Sequence, residues 1–266
     1  MILADFHTHT TYCDGKHTPR EMIDAAIAKG FRAIGFSVHA YTAIDTSYCI
    51  PKERTSAYLA ELRALRQEYA DRITVYIGAE VDAYAETPCE PFDYLIGSAH
   101  YVKVGKHYFD VDASPEQTKA VIDTYFAGNS DLYAEAYYEA LATVGCHKPD
   151  IIGHFDLLTK FNEQELLVDP DTPHYRAVWR ACADTLLALH VPFEINTGAI
   201  SRAWRSTPYP APDILSYLNE RGAQFILSGD AHSAATVGFG FEEAQAYAAR
   251  VGIRHFVNNS VHFEQK

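Results

Sequence analysis

Short apolar runs recur along the chain, separated by amphipathic stretches. The runs occupy residues 2–6, 33–38, 73–81, 94–98, 151–154, 191–195 and 225–228, with a last one at 254–257. Their length and their β-branched and aromatic content suit strands buried on both faces of a parallel sheet. The stretches between them, 19–30, 51–69, 115–126, 132–144, 175–189, 212–221 and 241–251, read as helices. In the first, Thr18 stands as N-cap, Pro19 as the first helical residue and Gly30 as the stop. In the second, Tyr58, Leu62 and Leu65 recur at helical spacing. Strand–helix alternation along a whole chain predicts a mainly parallel sheet, and about seven such units predict its closure into a barrel. Residues 102–112 are polar and aromatic and predict an excursion or hairpin, and 161–174 a long loop over the barrel mouth. With no repeat, linker or low-complexity segment, residues 1–266 are expected to form one α/β barrel domain.

Composition narrows the functional classes. Apolar residues make up 48% of the chain, enough for a substantial core, and the formal net charge is −13. An acidic surface disfavours nonspecific binding to nucleic acid or anionic membranes. The five cysteines, Cys13, Cys49, Cys89, Cys146 and Cys182, are scattered and form no C-x-x-C pair. They read as free thiols of a reducing compartment. No apolar run approaches the roughly 18 residues of a membrane span. The chain also opens directly into an apolar run, so no leader is expected. A soluble, cytoplasmic protein is expected.

The chemistry lies at the ends of the apolar runs. The first ends in His7-Thr-His9 with Asp14 close behind, the second at His39, the third at Glu80, the fourth at His100 and the fifth at His154. The seventh leads into Asp230-Ala-His232. A single H-x-H pair is weak evidence, although residues i and i+2 of a strand share a face and can hold one ion. Recurrence at six strand ends is stronger, because a parallel barrel gathers those ends at the face where barrel enzymes keep their active sites. Six histidines and three carboxylates would converge there, and the other seven histidines show no such placement. Unpartnered buried histidines and carboxylates are costly, which argues against coincidence. A catalytic zinc takes about three protein ligands, so this set implies two or three ions with a bridging carboxylate. The ligand types suit Zn, Mn or Fe without choosing among them. A multinuclear centre of this kind favours phosphoester hydrolysis.

The order H-x-H, Asp14, His39, Glu80, His100, His154 and Asp-x-His at 230 and 232 resembles the PHP (polymerase and histidinol phosphatase) family. The Gly-His-Phe-Asp, Glu-Ile-Asn-Thr-Gly and Ser-Gly-Asp-Ala-His segments are similar to its stand-alone histidinol-phosphatase branch. The resemblance implies a distorted seven-stranded TIM-like (β/α) barrel with a trinuclear centre. It implies that His7, His9, Glu80 and Asp230 hold one ion, and that a bridging Glu80 with His100 and His154 holds the second. Asp14, His39 and His232 would hold the third. The implied reaction is hydrolysis of histidinol phosphate to histidinol and phosphate by a metal-bound hydroxide, with Asp14, Glu80, Asp230 and His232 as the catalytic residues. A metal-bound group, His232 or a water would supply the leaving proton.

A phosphate also needs cationic donors beside the metals. Arg202 and Lys160 are the candidates, with Arg205 behind them; family members often carry Arg where Lys160 stands, and lysine binds as a point charge rather than a planar fork. Tyr101, Trp204 and Tyr209 could line the substrate pocket or simply pack loops. Asn196 could donate to phosphate or make a structural hydrogen bond. Asp156 could support a histidine ligand or cap a turn. The substrate amine calls for an acidic pocket residue that sequence does not identify. Three other readings remain open. One is a broad phosphomonoesterase or nucleotide phosphatase. Another is an amidohydrolase-type C–N hydrolase, disfavoured by Asp14, Glu80 and the extra His232 and by the absence of a lysine ending the fourth run. The last is a non-catalytic metal-binding barrel, disfavoured by a ligand set at an open mouth.

Overall fold

Seven parallel strands make one sheet in the computed structural model, which describes residues 2–266. They are β1 (Ala4–Asp5), β2 (Ala33–His39), β3 (Thr74–Asp82), β4 (Tyr94–Ser98), β7 (Ile151–Ile152), β8 (Phe193–Asn196) and β9 (Phe225–Ser228), adjacent in that order. Between β4 and β7 lies the antiparallel hairpin of β5 (Tyr101–Val104) and β6 (His107–Asp110), as the polar, aromatic segment predicts. Helices alternate with the strands: α1 (Pro19–Ala28), α2 (Thr55–Glu68), α3 (Pro115–Tyr125), α4 (Ser130–Ala142) and α5 (Pro173–Leu187). The single turn α6 (Gly198–Ser201) follows β8, and α7 (Pro212–Glu220) and α8 (Phe241–Ala249) complete the set.

Local signals explain the helix ends. Thr18 and Glu21 form a reciprocal capping box at the start of α1, ahead of Pro19. Helix α2 begins later than the pattern predicts because Lys52–Arg54 form a 3₁₀ turn. Helix α5 begins at Pro173, capped by the Thr172 side chain, so the long loop ends before His174. The run at 254–257 is not a strand: it is irregular and leads into the 3₁₀ turn Val257–Asn259.

That turn helps close the barrel. Strands β1 and β9 are the two edges of the sheet. Their seam is joined by a parallel bridge between Thr8 and Ala231, with His9 N–H donating to Ala231 O at 2.9 Å and Ala231 N–H to His7 O at 3.0 Å. Below it the side chain of Asn258 replaces a ladder. Its amide donates to Ala4 O at 2.9 Å and Leu227 O at 2.8 Å, and its carbonyl accepts Leu227 N–H at 2.8 Å. The buried Asp5 carboxylate accepts Gly229 N–H at 3.0 Å and Gly238 N–H at 2.9 Å. Burial pushes Asp5 up to about 6, and the N–H groups it accepts offset part of that.

The N-terminal ends of the strands are plugged by aromatic rings. Phe263 packs on Phe6, Tyr76 and Tyr94 with ring centroids 5.4, 5.5 and 4.6 Å away. Tyr94 fits because β3 has a glycine beneath it: a Cβ on Gly78 would lie 2.5 Å from the ring. The C-terminal ends, freed from structural packing, carry the polar groups.

Candidate metal centre

His7 and His9 follow β1 directly and are fully buried. Thr8 between them turns the other way, its hydroxyl donating to Gly35 O at 2.8 Å, so the two imidazoles share a face. The β2–β3 register sets His39 beside Glu80. His100, His154, Asp230 and His232 lie just beyond β4, β7 and β9, and Asp14 comes from the loop after His9. Asp230 has a left-handed backbone (φ 45°), a conformation aspartate tolerates better than most residues. All nine side chains meet, as the strand-end pattern predicts, in four overlapping groups: His7, His9 and Asp230; His9, Asp14, His39 and His232; His7, Glu80 and His154; and His39, Glu80 and His100.

Glu80 sits at the centre. Its Oε1 is 3.0 Å from His154 Nε2 and 3.4 Å from His100 Nε2. Its Oε2 is 3.1 Å from His39 Nδ1, 3.2 Å from His7 Nε2 and 3.6 Å from His9 Nε2. Asp230 Oδ1 approaches His9 Nε2 and His232 Nδ1, each at 3.4 Å, and Asp14 Oδ2 lies 3.1 Å from His232 Nε2.

The electrostatics follow from this crowding. Burial would raise Glu80, but His7, His39 and His100 more than offset it and hold the carboxyl well below its usual range. Burial would likewise lower His7, yet Glu194, Glu80 and Asp230 raise it well above the ordinary imidazole value. His9 goes the other way, down to about 3, through burial and the neighbouring His232 and His39. Such a set fits divalent ions. The carboxylates stay ionised, and the neutral His9 presents a buried Nε2 with no hydrogen-bond partner among the described residues.

Two carboxylates that the strand-end pattern passes over orient these ligands. Glu194 Oε1 takes His7 Nδ1 at 2.6 Å, and its Oε2 accepts His154 N–H at 3.1 Å. Asp82 Oδ2 accepts His100 N–H at 2.8 Å and lies 3.4 Å from His100 Nδ1. Each is a buried acid on a strand, a signal present in the sequence but ambiguous without the partner.

Above the cluster opens a cavity of about 710 Å³. Arg202, Lys160, Tyr101 and Trp204 line it. Arg202 is already engaged: Nη2 donates to Asp230 Oδ2 at 2.9 Å, and Nη1 lies 3.1 Å from His232 Nδ1. This needs glycine at 198, where a Cβ would fall 2.8 Å from Nη2 and 2.5 Å from Asp230 Oδ2. Lys160 is bound to the Asp112 carboxylate at 2.8 Å and to its carbonyl at 2.9 Å. Lys16, which sequence reasoning missed, lines the same cavity with no ion pair among the described residues. Tyr48, also missed, packs edge-on against His39 at 4.8 Å.

Asn196, Tyr209 and Arg205 do not reach the cavity. Asn196 is fully buried and engaged at both ends of its amide, donating to Glu194 Oε2 at 3.0 Å and accepting Gly198 N–H at 2.8 Å. Tyr209 is fully buried beneath the Arg205 guanidinium, which stacks on its ring at 4.4 Å. Arg205 donates to Thr159 Oγ1 at 2.6 Å and faces Asp156 Oδ2 at 3.9 Å. Asp156 also accepts Ala211 N–H at 3.0 Å, so it fastens one loop to another rather than supporting a histidine ligand.

The PHP domain family matches residues 5–198. A Deinococcus radiodurans protein named "Probable histidinol-phosphatase" is 34% identical, over 95% of this chain and 95% of its own. A histidinol-phosphatase of Bacillus subtilis is 26% identical, over 91% of this chain and 98% of its own. The crystal structure of histidinol phosphate phosphatase from Lactococcus lactis, complexed with Zn, L-histidinol and phosphate, matches with a TM-score of 0.72 and 20% identity, over 96% of this chain and 95% of the other. At that identity the likeness is one of fold.

Proposed function

The chain belongs to the PHP family, and from that premise we propose that it is a metal-dependent phosphomonoesterase that hydrolyses L-histidinol phosphate to L-histidinol and inorganic phosphate. The observation that carries this reading is the convergence of nine imidazole and carboxylate ligands beneath a cavity whose wall holds Arg202. Its histidinol-phosphatase relatives, matched over nearly the whole chain, supply the leaving group.

The site binds divalent metal, and the proposal is for three ions drawn from Zn, Mn or Fe. His7, His9, Glu80 and Asp230 would hold the first. Glu80, whose two oxygens face different histidines, would bridge to a second held with His100 and His154. Asp14, His39 and His232 would hold the third. When bound, the ions supply Lewis acidity, activating a water for attack on phosphorus and neutralising charge on the phosphoryl oxygens. The chain's own residues do the rest. Arg202, fixed in place by Asp230, donates to a phosphoryl oxygen from the rim of the cluster. Lys16, with no ion pair among the described residues, adds positive charge at the mouth, where a net charge of −13 would otherwise repel the substrate. Tyr48, Tyr101 and Trp204 provide flat apolar surface for an imidazole ring.

The test is phosphate release from L-histidinol phosphate, AMP and an aryl phosphate by protein whose metals have been counted. A preference for L-histidinol phosphate of about a hundredfold in kcat/KM is expected. Equal rates on all three, with metals in place, would retain phosphoester hydrolysis and overturn the substrate.

A further inference from the structure

An amino-alkyl phosphate has two charged poles. The metal ligands and Arg202 account for the phosphate and leave the ammonium without a partner. Three cavity carboxylates lie outside the histidine cluster: Asp45, Asp110 and Asp112. Asp112 is neutralised by Lys160, which takes both its carboxylate and its carbonyl. Asp45 is exposed to water, where an ion pair with a substrate is screened. Asp110 alone is half-buried and forms no ion pair among the described residues.

Its position is fixed by the hairpin. Asp110 pairs with Tyr101 across the β5–β6 ladder, next in sequence to His100. Val111 N–H donates to His100 O at 2.9 Å, so the end of β6 is tied to the metal cluster. Asp112 N–H holds Asp110 Oδ1 at 2.7 Å, and the Lys160–Asp112 pair anchors the segment from the other side. The Asp110 carboxyl lies against that of Asp112, has no cationic side chain paired to it among the described residues, and is held by the hairpin in the wall of the same cavity as Arg202.

We infer that Asp110 is the specificity residue that reads the substrate's ammonium, selecting amino-alkyl phosphates over phosphomonoesters that lack an amine. The inference rests on the proposed phosphatase reading. Lys160 then has a positioning role through Asp112, rather than a phosphate-binding one.

The experiment compares wild-type holoenzyme with Asp110→Asn on L-histidinol phosphate and on its deamino analogue, imidazolylpropyl phosphate, at measured metal content. Loss of one charge-assisted contact predicts a fall of about thirtyfold in kcat/KM on L-histidinol phosphate, mainly in KM. The deamino substrate, already slow with wild type, should change by no more than about threefold, because it never used the contact. Equal losses on both substrates, or no loss on either, would overturn the inference. Wild-type enzyme that hydrolyses aryl phosphate but not L-histidinol phosphate would overturn the parent reading, and this inference with it.

Discussion

His7 Nδ1 lies 2.6 Å from Glu194 Oε1, and both side chains are completely buried. Glu194 therefore fixes which nitrogen of His7 carries a proton and leaves Nε2 facing Glu80 and Asp230. Replacing Glu194 with Gln should weaken metal binding by about 10- to 100-fold while leaving the fold intact. Competition with a chromophoric chelator measures the affinity, and an unchanged value would sink the orienting role. The pH dependence has a definite sign. Glu194, Glu80 and Asp230 raise His7 despite burial, so the metal-free protein holds a proton that Nε2 must lose on ligation. Metal affinity should rise with pH through the neutral range, with proton release seen by calorimetry in buffers of different ionisation enthalpy.

Arg202 and Lys160 should behave differently although both line the cavity. Arg202→Ala removes a donor beside the proposed metal ligands and should cost about a hundredfold in kcat/KM. It should also weaken inhibition by inorganic phosphate. Lys160→Ala unpins Asp112 and should act on L-histidinol phosphate through KM, with little change in phosphate inhibition. A larger loss of phosphate inhibition for Lys160→Ala than for Arg202→Ala would reverse these roles.

Arg205 and Asp156 are buried together between the loops that carry Lys160 and Arg202. Removing only the cation leaves a carboxylate without its counter-charge. Arg205→Met should destabilise the protein by about 3 kcal/mol, and adding Asp156→Asn should restore part of that. Denaturant unfolding of the single and double variants decides it; strictly additive losses would show that the two groups are not coupled.

Asn258 stands in for a strand ladder at the barrel seam through three hydrogen bonds. Asn258→Ala strands their backbone partners and should cost roughly 3 kcal/mol, on the order of 10 °C in Tm. A calorimetric shift under about 2 °C would mean that the Thr8–Ala231 bridge and the Asp5–Gly229 bond hold the seam without it.

The candidate metal centre was legible in the sequence because strand ends are a local property. A short apolar run followed by His, Asp or Glu announces both a buried strand and the group at its tip, and His7, His39, Glu80, His100, His154 and Asp230 all obey that rule. The helices were equally local, set by apolar spacing and by caps such as Thr18 and Thr172. Tertiary structure alone decided which charged groups are free. Lys160 and Arg205 read as phosphate donors until folding brought Asp112 to one and Asp156 to the other, across 48 and 49 residues. Glu194 acquired a role only when β8 came beside His7, 187 residues away. The run at 254–257 looked like a strand, yet the turn after it closes the barrel through one side chain. Periodicity records which face of a segment is buried. The partner of a buried charge is chosen by long-range packing, which no local pattern encodes.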